Sequence, residues 1–309
     1  MNENPTGETY DYTAQLAYKA DVKAFFHEPT FTFSYVVADP ETKMCAVIDS
    51  VLDFDLPSGT LSYESADAII AFIQTSGYQV QWVLETHMHA DHLSAASYIQ
   101  EQVGGKTAIG NRIATIQGMY QDVFQVSEQD LAVAAARFDK LWKDFETFSV
   151  GSLPAFTFST PGHTPADIVY GIGDALFAGD TMFMPDFGTA RCDFPRGSAE
   201  DMYYSAQKIF ALPDNMRMFM CHDYLPEGRT EYKYQTTIGE QKRSNIHLSN
   251  DASKDAFVTL REKRDATLPL PKLMIPSLQV NVQAGQFPEV GGVPMLQLPI
   301  NSVFSHYTK

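Results

Sequence analysis

The stretch "VLETHMHADHLSAA", residues 83–96, sets three of the chain's eight histidines and an aspartate between His87 and His92. The apolar run "QVQWVLET" (79–86) before it reads as a buried strand. The run "HLSAASYIQEQVGG" (92–105) after it reads as a helix stopped by Gly104 and Gly105. His87 and His89 are two apart in a short loop, so in extended backbone both imidazoles point to one side. Asp91 and His92 follow where the chain turns toward the helix. They can serve a neighbouring position, about 3.5–4 Å away in two-metal sites. Taken alone, Asp91 reads equally well as the N-cap of that helix.

Three further ligand-type residues stand at strand ends. His163 lies in "STPGHTPADIV", Asp180 in "ALFAGDTMF" and His222 in "MFMCHDY". Each has an ordinary reading on its own: a turn residue for His163 and Asp180, a hydrogen-bonded core histidine for His222. Strand ends converge on one sheet edge, where sites form. A His-x-His-x-Asp-His cluster followed by His, Asp and His at such ends therefore predicts a metal site. His27, His247 and His306 lack that context.

The chain has 309 residues, 44% of them apolar, enough for one large domain or two small ones with a sizeable core. A net charge of −16 and a pI near 4.8 argue against nucleic acid, which needs a basic patch. Cys45, Cys192 and Cys221 are too few for a disulfide framework and suit a reducing cytoplasm. The start, "MNENPTGETYDYTAQ", shows no secretory pattern, and no apolar run reaches the roughly 18 residues of a membrane helix. The expectation is a cytoplasmic protein without a membrane partner.

Elsewhere the pattern alternates. "FTFSYVVAD" (31–39) and "MCAVIDS" (44–50) read as a hairpin, and 65–77 as a helix stopped by Gly77. "KTAIG" is a short strand and 111–124 a helix, while 127–142 reads as helix or loop. Strands are expected at 145–150, 153–159, 167–172, 174–179 and 216–222. Helices are expected at 198–212 (Ser198 as N-cap), 234–248 and 253–266, and "LMIPSLQVNVQAG" reads as extended. Periodicity alone supports one α/β domain. The element order fits two sheets with helices outside, a four-layer αββα sandwich. The expected organisation is a lead-in over 1–20, a main domain over 21–250, and a helix and tail over 251–309 packed on it.

"THMHADH", "PGHTP", "AGDTMF" and "CHDY" together resemble the metallo-β-lactamase superfamily over about residues 20 to 250. That implies the αββα fold with a metal site at the edge between the sheets. Finer segments resemble its persulfide dioxygenase family: Ala90 within "THMHADHLSAA", "MPDFGTARCDFPRGSA" (184–199), the region 220–248 and the tail 273–285. The bacterial type without a rhodanese domain fits, since the roughly 59 residues after 250 hold no cysteine.

The resemblance implies one Fe(II) per chain on His87, His163 and Asp180, a facial triad with open positions suited to dioxygen. His89, Asp91, His92 and His222 then stand behind the iron. The sequence itself leaves the count open, because all seven ligands of a two-metal site are present. The implied reaction oxidises glutathione persulfide, or a similar small persulfide, with O2 to sulfite and thiol. The resemblance also implies a homodimer as a candidate assembly. Arg191 matches the family's arginine near the thiol pocket; its alternative is an ion pair with Asp193. Tyr224 and Arg243 are further candidates for substrate contact. Cys192 and Cys221 read more simply as buried thiols. The rival readings are a two-metal (zinc) thiolester hydrolase of the glyoxalase II kind and a non-catalytic persulfide sensor on the same fold.

Overall fold

The computed structural model describes residues 11–249 and 252–300. Half of the lead-in, and the last nine residues with His306, therefore lie outside the described residues. The first sheet takes its six strands in chain order: Asp21–His27, Thr32–Ala38, Met44–Ile48, Gln79–Leu84, Lys106–Gly110 and Lys140–Trp142. The first three pair antiparallel and the rest parallel. The parallel steps are bridged by Glu64–Ser76, by Ala96–Val103 and by the pair Ile113–Phe124 and Glu128–Ala135. Such crossovers put helices on one face of a sheet. The second sheet is also in chain order: Thr147–Val150, Leu153–Ser159, Ile168–Ile172, Ala175–Phe177, Arg217–Phe219 and Gln235–Thr237. Only its Ala175–Phe177 and Arg217–Phe219 pair is parallel, with helix Ala199–Phe210 between them.

Alternation along each strand sorts the core into layers. Tyr35, Val37, Ala46 and Ile48 of the first sheet meet Ala155, Tyr170, Phe177 and Phe219 of the second in one inter-sheet cluster. Their neighbours Val36, Ala38, Cys45 and Val47 turn outward onto Ile69, Ile73 and Ile99 of the covering helices. Phe156 and Phe158 of the second sheet turn outward onto Met202, Ala206 and Ile209. The result is the four-layer αββα sandwich. The Tyr35 hydroxyl crosses the inter-sheet layer to donate to the Met220 carbonyl, tying the sheets together close to His222.

Ser198 caps its helix as expected, its side chain accepting from Asp201 N, and Gly77 ends Glu64–Ser76 in the left-handed conformation. Three expectations give way. The helix after the histidine run begins at Ala96, because Leu93–Ser94 first pairs antiparallel with Val51 and Leu52. Residues 234–248 split into the edge strand Gln235–Thr237 and helix Ile238–Ser244, capped by the Thr237 side chain. The expected extended tail is instead helical over Met274–Asn281. Val280 is buried against the first sheet's helices, and Pro276 sits in the first turn, where its missing N–H costs nothing.

Candidate metal centre

The sheet edge gathers all seven predicted ligands. His87, His89, His92 and His222 are at most 1% exposed, Asp180 is 6% exposed, and Asp91 is partly open. His163 Nε2 lies 3.5 Å and His87 Nε2 4.0 Å from Asp180 Oδ2, and His222 Nε2 lies 3.5 Å from Asp180 Oδ1. Asp91 Oδ2 stands 3.3 Å from His222 Nε2. Asp91 does not cap the following helix, whose N-cap is Ala95.

Hydrogen bonds fix each imidazole so that one lone pair faces this cluster in the neutral ring. The single proton of the Thr86 hydroxyl goes to Asp49 at 2.8 Å, so His87 Nδ1, 3.1 Å away, donates to that oxygen and Nε2 is left bare. His163 Nδ1 donates to the Arg191 carbonyl at 2.8 Å, His92 Nδ1 to the Leu93 carbonyl at 3.2 Å, and His222 Nδ1 to the Phe31 carbonyl at 3.3 Å. His89 is turned the other way. Its Nε2 faces Asp49 at 3.1 Å and Glu85 at 3.3 Å, which leaves Nδ1 bare. Nε2 of His87, His92 and His222, Nδ1 of His89, Oδ2 of Asp91 and Oδ1 of Asp180 are buried without a hydrogen-bond partner. Buried polar groups are normally satisfied. Six convergent orphans of ligand type therefore fit a metal ion, and nitrogen with carboxylate oxygen suits iron or zinc.

Among the described residues, one compact ligand group is His87, His163 and Asp180, whose donor atoms all lie within 4.8 Å of one another. His89 groups instead with Asp91 and His92, with Asp49 and Glu85, or with Cys221 and His222. Burial, then the charge of His89, pushes His87 well below the usual imidazole range, and the same causes bring His92 down to about 3. Both rings are thereby held unprotonated, the form a metal needs; against burial, Asp49 raises His89 and Asp180 raises His222, so a metal binding at those two rings would displace a proton.

Two glycines position these ligands. Gly179 has φ +52°, and a Cβ there would sit 2.5 Å from Thr86 Oγ1, so the turn delivering Asp180 closes against the threonine that orients His87. Gly162, before His163, has φ +156°, and a Cβ would meet the Met202 backbone at 2.5 Å.

The substrate candidates fare differently. The Arg191 guanidinium forks onto Asp193 at 2.6 and 2.7 Å and donates to the Pro269 carbonyl at 2.6 Å. Its carbonyl orients His163, and its side chain covers Phe194, whose ring lies 4.9 Å from that of His163. Tyr224 is partly exposed at the lip and stacks on His222 at 5.6 Å. Burial, then the charges of Asp91 and Asp180, raises its hydroxyl well above the usual range. Arg243 does not join the site. It lies by Gly239 and Asp214, before the strand Arg217–Phe219 whose far end leads to His222. Cys192 and Cys221 are buried, and burial raises both thiols.

Sequence reasoning missed Asp49, Glu85, Phe194 and Asn281. Asn281 Nδ2 donates to the carbonyls of His89 and His92, both at 2.8 Å, and its Oδ1 accepts from Ser94 N at 2.7 Å. Asp49 carries a weak signal, an acid just after the strand "MCAVI". Asn281 carries none, being 192 residues from His89. No helix among the described residues is long and apolar enough to cross a membrane.

The sequence profile of the Metallo-beta-lactamase superfamily matches residues 27–222. A "Beta-lactamase hydrolase-like protein" of Agrobacterium fabrum is 46% identical over 289 residues, 93% of this chain, and the chain spans 66% of that protein's length. A "Probable metallo-hydrolase" of Burkholderia pseudomallei is 43% identical, covering 91% of this chain and 99% of its own. The human mitochondrial "Persulfide dioxygenase ETHE1" is 25% identical, covering 85% of this chain and 88% of its own. Among solved structures, ETHE1 from Myxococcus xanthus aligns with a TM-score of 0.68 at 26% identity, covering 86% of this chain and all of that one. On the profile match and the full-length Burkholderia relative, this chain belongs to the metallo-β-lactamase superfamily.

Proposed function

We propose that the chain is a persulfide dioxygenase that oxidises glutathione persulfide, or a similar low-molecular-weight persulfide, at a single iron held by His87, His163 and Asp180. The observation that carries this reading is the compact two-histidine, one-carboxylate group of His87, His163 and Asp180, whose donor atoms all lie within 4.8 Å of one another. The likeness to two ETHE1 proteins supports it. Persulfide, O2 and water balance as thiol, sulfite and two protons.

Fe(II) supplies the binding of O2 and of the persulfide sulfur together with the redox chemistry. The chain supplies placement. Thr86 and the Arg191 carbonyl hold His87 and His163 with Nε2 presented, and Gly179 lets Asp180 close the triad. Phe194 packs its ring against that of His163, and Tyr224 stacks on His222. Asp49 and Glu85 place two carboxylates against the ring of His89 behind the triad.

The second reading is a two-metal thiolester hydrolase. It is favoured by the bare atoms of Asp91, His92 and His222, and by relatives named "Probable metallo-hydrolase" and, in Dictyostelium discoideum, "Glyoxylase B2". Metal content and O2 uptake separate the two. One iron per chain and O2 consumption with glutathione persulfide are expected. Two metals per chain, thiolester hydrolysis and no O2 uptake would overturn the proposal. Loss of activity in a folded His163→Ala variant excludes a non-catalytic sensor.

A further inference from the structure

We infer that Arg261 and Asp265 are positioning residues of the metal centre: their buried pair clamps the segment 189–192, so that the Arg191 carbonyl holds the ring of His163 toward the other ligands. The inference deepens the proposed function and rests on one part of it, His163 as a metal ligand, which the dioxygenase and hydrolase readings share.

Residues 189–193 belong to no helix or strand. Their buried backbone groups therefore need partners from elsewhere. They find them in the C-terminal part of the chain, beyond the matched residues 27–222. Arg261 Nη1 donates to the Thr189 carbonyl at 3.0 Å, and the Cys192 N–H donates to Asp265 Oδ2 at 2.8 Å. Ala190 and Arg191 lie between these two pins. Upstream, the Thr189 N–H donates to His247 Nδ1 at 3.1 Å, and Asn245 Nδ2 donates to the Gly188 carbonyl at 3.1 Å. Downstream the chain returns to the ligand turn, where the Ser198 N–H donates to the Gly162 carbonyl at 2.8 Å. Held on both sides, the Arg191 carbonyl stands 2.8 Å from His163 Nδ1, and His163 Nε2 lies 3.5 Å from Asp180 Oδ2.

Stability alone does not account for the pair. Arg261 is 1% and Asp265 3% exposed, one turn apart on helix Lys254–Asp265, with Arg261 Nη2 donating to Asp265 Oδ1. A buried ion pair stabilises a fold little more than apolar side chains of the same size. Apolar side chains cannot supply a donor and an acceptor aimed at backbone groups on either side of Arg191. The guanidinium fork meets Asp265 and the Thr189 carbonyl at once, and the carboxylate meets both Arg261 and Cys192.

The test titrates the metal-stripped full chain with cobalt(II), whose visible absorption reports ligand geometry. Asp265→Asn keeps the shape and removes the charge that holds Arg261. Its cobalt affinity should fall about tenfold or more, the range for groups that orient a ligand, and its cobalt spectrum should change. With iron and glutathione persulfide, kcat should fall while KM changes little. Arg261→Lys, which keeps the charge and loses the fork, serves if Asp265→Asn does not fold. Asp174→Asn is the control, since that buried carboxylate pairs with Arg217 at the end of the strand Arg217–Phe219 away from His222. It should lower the urea midpoint and leave cobalt binding at the parent value. Parent-like affinity and spectrum in the folded Asp265→Asn variant overturn the inference. An equal loss of affinity in Asp174→Asn also overturns it, because destabilisation alone would then suffice. Parent-like cobalt binding in His163→Ala overturns it by removing the ligand. The cobalt measurements need no substrate, so absence of O2 uptake with the persulfide removes the dioxygenase reading and leaves the clamp to be decided by cobalt.

Discussion

Replacing Asn281 by alanine should loosen the metal loop from behind without touching a ligand. The amide donates to the carbonyls of His89 and His92 and accepts from Ser94 N, with all three distances between 2.7 and 2.8 Å and the side chain 3% exposed. A buried hydrogen bond contributes about 1 kcal/mol net, and a buried partner left unpaired costs about 1–3 kcal/mol. The loop carbonyls are locked between Ala90 and Leu93, both buried, so water has little access to repair them. The expected loss is about 2–4 kcal/mol, a large share of the 5–15 kcal/mol typical of a folded domain. Urea unfolding of metal-free protein reads that loss directly. A metal titration should show weaker binding as well, because the two carbonyls belong to the loop that also carries the ligand His87. Unchanged unfolding midpoint and unchanged metal affinity in Asn281→Ala would refute the claim that the C-terminal helix fixes the loop.

Further outcomes are expected elsewhere. Gly179→Ala should abolish metal binding while leaving the secondary structure by circular dichroism near the parent, since its Cβ would strike Thr86 beside His87. His247 is held down to about 4 by burial, then by the charges of Arg261 and Arg264. A lowered folded value means that its contribution is present above about pH 6.5 and is lost as pH falls toward 4, by up to about 3 kcal/mol. His247→Gln should flatten the fall in stability over that window in denaturant melts, and an unchanged acid limb would contradict the assignment. Arg191→Lys should lower the melting temperature and kcat more than it alters KM, because the fork onto Asp193 steadies the segment whose carbonyl orients His163. A KM rise with kcat unchanged would instead return Arg191 to substrate binding.

The ligands were legible in the sequence because they are local and of unusual type. His87 to His92 declare themselves within six residues, and His163, Asp180 and His222 each follow an apolar run. The layers were legible because strand alternation is a property of neighbours, as in Tyr35 and Val37 against Val36 and Ala38. What orients the ligands was not. Asp49 meets His89 across 40 residues and Asn281 across 192, and no periodicity encodes such pairs. The segment 273–285 reads as extended for the same reason: the partners of its helix Met274–Asn281, such as the His89 and His92 carbonyls, lie far away along the chain. Arg191 was recognised as a site residue by its motif, but the motif could not tell whether the guanidinium or the carbonyl faces the work.

The sheet order has a consequence for how this protein comes into being. Each sheet follows the chain strand by strand, so the first is complete in sequence at Trp142, before His163, Asp180 and His222 have been synthesised. On a ribosome, the first half can assemble on its own short-range contacts, carrying His87, His89, Asp91 and His92 on an unfinished edge. The emerging second half then supplies the remaining ligands from the opposite sheet. Coordination would thus come last, and the ion would act as a clasp between two halves of one nascent chain. Scarcity of the metal would then be felt during maturation as well as in turnover.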